Sequence, residues 1–277
     1  MIAHVNGTDL YYHTYGQGRP MLLMHGGLGL DHTSFPAAFD PLGDLFTLIY
    51  YDHRGNGRSE RPESFAGITH ATWADDADAL RAHLGYDRII LFGHSYGSFL
   101  AQEYALRYGD RLDGLILCAT APVIDYMDVI QANAAARGTP DQLTALGEAF
   151  GRPMADDADF RSIWLRLAPL YYKRYDPEVD AAIDATTVYS AAAWNHVNVN
   201  CLPQFNTLPR LGEITAPTLV LSGAEDWITP PAQGERIRAG IPNAELVVFQ
   251  ESGHWPFIEE PERFKQVIRD WIDRLGR

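Results

Sequence analysis

Short apolar runs alternate with amphipathic stretches along this chain, and that alternation limits the fold more than any other feature. The runs are Met21-Leu22-Leu23-Met24, Phe46 to Tyr51, Arg88 to Phe92, Leu112 to Cys118, Thr218 to Leu221 and Leu246 to Phe249. Runs this uniformly apolar suit strands buried on both faces, as in a parallel sheet. Upstream, Ile2 to Val5 and Asp9 to His13 flank Asn6-Gly7, which reads as the turn of an antiparallel hairpin at the sheet edge. Between the runs lie helical patterns. Trp73, Ala77, Leu80 and Leu84 share one face, with Thr72 and Asp75 as the expected capping box. Near the end Phe264, Val267, Ile268, Trp271, Ile272 and Leu275 form a stripe that Pro261 opens and Gly276 closes. The expected fold class is α/β, a mostly parallel sheet of about eight strands flanked by helices.

The alternation fails between Val123 and Leu208. No strand pattern stands there, but Phe160, Ile163, Trp164, Leu167 and Tyr171 fall on one helix face behind the acidic turn Asp156-Asp157-Ala158-Asp159. Residues 1–122 and 209–277 are therefore expected to form the core. Residues 123–208 are expected to form a helical cap, inserted after the sixth strand and sitting over the sheet edge whose loops carry function.

Bulk properties narrow the partners. A formal net charge of −14 in 277 residues argues against nucleic acid and anionic membranes, both polyanions. No apolar run approaches the roughly 18 residues that span a bilayer. The N-terminal Met1 to Gly7 has neither a basic nor an apolar leader region, so a cytoplasmic location is expected. Cys118 and Cys201 make no disulfide framework, and Cys118 reads as a small buried hydrophobe. What remains is a small-molecule partner. The sequence does not set the oligomeric state.

The chemistry-bearing motif is Gly93-His94-Ser95-Tyr96-Gly97, directly after one apolar run and directly before the helical stretch Ser98 to Leu106. A strand-to-helix turn that exposes a serine oxygen needs little bulk two residues to either side, hence the glycines. Ser95 is the expected nucleophile. The helix N-terminus favours negative charge developing beside it, and the Tyr96 N–H is one expected oxyanion donor. The second is the Gly27 N–H of His25-Gly26-Gly27-Leu28-Gly29, which follows another run. That loop matches neither glycine-rich phosphate signature. His25 reads as a prop for it.

Serine needs an imidazole base, itself oriented by a carboxylate. Of ten histidines, His254 in Glu251-Ser252-Gly253-His254-Trp255 follows the last strand at the carboxyl edge that also carries Ser95. His94, His53 and His196 compete less well by position. Asp226, just past Thr218 to Leu221, is the expected carboxylate, with Glu225 and Asp125 as the other candidates.

With these residues in place the chain resembles the α/β-hydrolase superfamily over nearly its whole length, in the order Ser95, Asp226, His254. The resemblance implies the α/β-hydrolase fold. His25-Gly26-Gly27-Leu28-Gly29 and Asp52-His53-Arg54-Gly55-Asn56-Gly57-Arg58-Ser59 are similar to motifs of the proline iminopeptidase-like branch, with Leu28 where that branch usually has proline. In the second motif Arg54 is expected to brace loops. Those peptidases hold the substrate amine with glutamates, one after the catalytic aspartate and one on the cap. Here Trp227 follows Asp226, and Gln204 stands near the cap's end.

An ammonium group buried without a carboxylate is costly. The expected activity is therefore hydrolysis of a carboxylic ester or lactone, acyl lactones included, through an acyl-enzyme and without metal or organic cofactor. The alternatives are a proline iminopeptidase-type aminopeptidase and a non-catalytic ligand-binding relative. Leu28, Trp164, Tyr171, Trp194, Trp227 and Trp255 are the candidates for an apolar substrate pocket, core packing being their other role.

Overall fold

The computed structural model describes residues 1–27 and 29–275. In chain order the core elements are β1 (Ile2–Val5), β2 (Thr8–Tyr15), β3 (Arg19–Met24), α1 (Pro36–Phe39), β4 (Phe46–Tyr51), α2 (His70–His83), β5 (Ile89–His94), α3 (Tyr96–Tyr108) and β6 (Leu112–Cys118). Helices α4 (Met127–Arg137), α5 (Pro140–Gly151), α6 (Asp157–Leu167), α7 (Pro177–Asp184) and α8 (Ala191–His196) follow. The core resumes with β7 (Thr218–Gly223), α9 (Pro231–Gly240), β8 (Ala244–Phe249), α10 (Pro256–Glu259) and α11 (Pro261–Leu275).

The strands form one eight-stranded sheet in the order β1-β2-β4-β3-β5-β6-β7-β8. The β1–β2 and β2–β4 pairs are antiparallel, and every later pair is parallel. Burial explains the composition of each strand. β5 and β7 are buried at every residue and are almost wholly apolar, whereas β2 alternates buried and half-buried positions as an edge hairpin does. The hairpin turns at Asn6-Gly7, as its sequence implies.

One local reading is corrected. The capping box of α2 is Thr69 with Thr72, not Thr72 with Asp75. The helix begins a turn earlier because Thr69, in extended backbone, accepts from the Thr72 N–H. Asp75 instead accepts from Arg107 and the Tyr108 hydroxyl on α3. Helix α6 starts where the acidic turn implies, capped by Asp156. Helix α11 starts at Pro261 with Phe264, Ile268, Trp271 and Ile272 buried; its expected stop, Gly276, lies outside the described residues.

Helices occupy the stretch between β6 and β7, and its two ends meet. An isolated bridge joins Val123 to Asn206, and the Thr207 N–H donates to Pro122 O at 2.8 Å. Parallel register aligns the carboxyl ends of the central strands: Met24 pairs with Gly93, His94 with Cys118, and Gly223 with Phe249. The loops after β3, β5, β7 and β8 therefore leave the sheet side by side, on the edge where α/β sheets bind ligands. Among the described residues no helix is long and apolar enough to cross a membrane.

Candidate active site

Ser95 sits in the turn between β5 and α3 at φ 53°, ψ −120°, a conformation that costs a non-glycine residue about 1–3 kcal/mol. The turn is tight because β3 lies directly behind it. A Cβ on Gly97 would stand 2.1 Å from Met24 O, so only glycine fits there. The strain turns the Ser95 side chain out of the sheet, into a cavity of about 630 Å³ that it lines together with Gly27, Tyr96 and His254. Tyr96 opens α3, so its N–H has no partner within the helix and remains available to an oxyanion.

The loops after β7 and β8 bring Asp226 and His254 together. The His254 Nδ1–H donates to Asp226 Oδ2 at 2.7 Å. Both residues are buried, at 3% and 2% exposure. Asp226 is held by more than the histidine. The Ile228 and Thr229 N–H groups donate to Oδ1 at 3.0 Å each, and the Thr229 hydroxyl donates to Oδ2 at 2.6 Å. Burial pushes the Asp226 carboxyl up. The facing imidazole and the donated hydrogen bonds outweigh burial and hold it below the usual carboxylate range. An imidazole so oriented keeps Nε2 free to exchange a proton inside the cavity.

The competing residues are occupied elsewhere. His94 donates from Nε2 to the His254 carbonyl at 2.9 Å and is fully buried; burial holds its imidazole neutral, well below the usual histidine range. His25 donates from Nδ1 to Gly26 O and accepts the His53 N–H at Nε2, which makes it the prop of the Gly27 loop. His196 bonds Ile68 O. Glu225 pairs with Arg137, and Asp125 with Arg236. Arg54 braces α2 and the first hairpin through Asp76 and Asn6 O.

Of the pocket candidates, Trp164, Tyr171, Trp194, Trp227 and Trp255 all line the cavity, and Leu28 lies outside the described residues. Sequence reasoning missed most of the remaining wall. It includes Ile130 on α4, Leu143, Leu146 and Phe150 on α5, Phe99 on α3, and Asn198 and Leu202 beyond α8. Thr139 followed by Pro140, with Gln142 three residues after the threonine, is a helix-start signal that could have located α5. Met127 and Phe150 line the cavity yet remain 51% and 42% exposed, so it opens to solvent along α4 and α5.

The charge of the cavity separates chemistries. No Asp, Glu, Lys or Arg side chain lines it among the described residues; its ionisable groups are His94, His254 and three tyrosines. Gln204 is absent from the wall and bonds Asn200 O. No group of three or more metal-ligating side chains gathers among the described residues.

Comparison with known proteins agrees with this architecture. A family model described as alpha/beta hydrolase fold matches residues 19–261. The chain belongs to the α/β-hydrolase family. Proline iminopeptidase PfmaB of Pestalotiopsis fici is 31% identical to this α/β-hydrolase over 286 residues, 98% of this chain and 99% of the relative. A thermophilic esterase from Thermogutta terrifontis is 29% identical with a TM-score of 0.74, covering 100% of this chain and 99% of the other. An enol-lactonase from Burkholderia xenovorans is 26% identical with a TM-score of 0.75, covering 99% and 100%.

Proposed function

We propose that this α/β-hydrolase cleaves a carboxylic ester or lactone with an apolar acyl group. The observation that carries the reading is the cavity wall, which meets Ser95 and His254 and among the described residues offers no carboxylate to a substrate ammonium. Burying that cation unpaired costs several kcal/mol, which disfavours an N-terminal amine and leaves neutral carbonyl substrates.

In this reading Ser95 Oγ attacks the carbonyl carbon while His254 Nε2 takes the hydroxyl proton. The Gly27 and Tyr96 amides meet the oxyanion, each worth on the order of 100-fold in rate. The tetrahedral adduct expels the alkoxide, which receives the proton from His254. Water then attacks the acyl-enzyme, again losing a proton to His254, and the acid leaves as Ser95 recovers its hydrogen. For a lactone the expelled alkoxide stays joined to the acyl group through the ring carbons, so the second step releases a single hydroxy acid.

The second reading, an aminopeptidase acting on N-terminal proline, is favoured by the 31% identity to a protein named proline iminopeptidase. One assay separates the two. Short- and medium-chain aryl esters and an acyl lactone should turn over faster than proline arylamide, and a preference for the arylamide would overturn the ester reading. A fluorophosphonate should label the wild type and not Ser95→Ala, with ester turnover falling at least about 10⁴-fold in the variant. Absence of labelling in the wild type would favour a non-catalytic binding protein.

A further inference from the structure

The His254 loop and the helical insertion meet backbone to backbone. The His254 N–H donates to Tyr171 O at 2.7 Å, and Tyr171 ends the short turn Ala168–Tyr171 that follows α6. A Cβ on Gly253 would lie 2.5 Å from that same oxygen and 3.0 Å from Lys173 N, so only glycine allows this approach.

The Glu259 carboxylate, at the end of α10, spans the junction. Its Oε1 accepts from the Lys173 N–H at 2.7 Å and the Arg174 N–H at 3.0 Å; its Oε2 accepts from the Gly253 N–H at 2.7 Å. One oxygen serves the insertion and the other serves the histidine loop. The nearby cations are engaged elsewhere, since the Lys173 and Arg174 side chains both pair with Glu251. Among the described residues, backbone amides are what meet the charge of Glu259. Such charge-assisted bonds are roughly twice as strong as neutral ones.

This contact reaches the chemistry from two sides. His254 carries the imidazole bonded to Asp226, while the Tyr171 ring lines the cavity 5.2 Å from the His254 ring. We propose that Glu259 is a positioning residue that fastens the helical insertion to the His254 loop, so that the base and the Tyr171 wall of the substrate cavity are set together. The proposal rests on the reading of His254 as the base.

Glu259→Gln tests it, because the amide nitrogen of glutamine cannot accept and one of the two segments loses its acceptor. At an unchanged melting temperature, kcat should fall about tenfold for both an acetyl and a long-acyl aryl ester. KM should rise for the long-acyl ester alone, and Glu259→Asp should recover part of kcat. In hydrogen exchange the amides of 171–174 and 253–254 should lose protection together in Glu259→Gln.

Unchanged kinetics in folded Glu259→Gln, or loss of protection in one segment only, would overturn the proposal. If the variant does not fold, exchange in the wild type decides: Lys173, Arg174 and Gly253 opening as one unit supports it, and unrelated rates overturn it. His254→Ala keeps the two readings apart. Full activity there removes His254 as the base, whereas an inactive His254→Ala beside a normal Glu259→Gln removes the role of Glu259 alone.

Discussion

Thr229 stands three residues past Asp226, and its hydroxyl and N–H bond both oxygens of that carboxylate. A carboxylate gripped in this way, with the Ile228 N–H also on Oδ1, keeps one orientation toward His254. Thr229→Val retains the shape and the N–H but loses the hydroxyl. A hydrogen bond to a charged group is worth about 1.5–3 kcal/mol, so kcat should fall roughly tenfold or more. KM should change little, and Thr229→Ser should restore most of kcat. Steady-state kinetics on an aryl ester checks all three statements. Asp226 as the carboxylate was legible from its place just past the strand Thr218 to Leu221, whereas the turn that Asp226 makes with Thr229 was not read. The meeting of that turn with His254 was not legible either, because the two loops meet only when β7 and β8 pair in register.

At the scale of elements, α4 and α5 wall the cavity, and under the proposed ester reading they set how large an acyl group it accepts. Their apolar residues escaped the helical pattern for a physical reason. They face a cavity that opens to solvent, so buried Ile130 and Ala145 share their helices with exposed Met127 and Phe150. A stripe that packs on solid core, as on α11, has a sharper boundary and was read from sequence with ease. Leu146 on α5 lines the cavity. Leu146→Trp adds bulk there without touching the Ser95 turn. The expected outcome is a KM several-fold higher for a long-acyl aryl ester with the acetyl ester unaffected, read from a chain-length series. An equal effect on both would show that α5 does not border the acyl group.

For the whole molecule, acid is the condition that the buried histidines make costly. Burial lowers the imidazoles of His13, His25, His53, His70 and His94 below the usual histidine range, that of His70 to about 4. The folded state thus binds fewer protons than the unfolded chain. The stability these groups contribute is present above about pH 6.5, the unfolded value, and is lost as pH falls through the folded values. Urea midpoints should drop steadily between about pH 6.5 and 4. His70 packs against Tyr96 and Phe205 with Nε2 buried and unpartnered. His70→Phe should flatten part of that slope, and an unchanged slope would remove His70 from the account.

The alternation of apolar runs determined the sheet and its flanking helices, because strands buried on both faces leave a composition that no other element matches. Local turn chemistry likewise determined the Ser95 elbow, whose glycines are demanded by neighbours in the same strand-turn-helix unit and by β3 behind it. Only the tertiary structure decided which carboxylate reached His254, since Asp125, Glu225 and Asp226 all follow core strands and the first two are taken by Arg236 and Arg137. It also decided the charge of the cavity, where residues from β5–α3, the insertion and three loops converge from positions more than 200 residues apart. Convergence of that kind is set by packing and strand register, and neither is written in the spacing of any single motif.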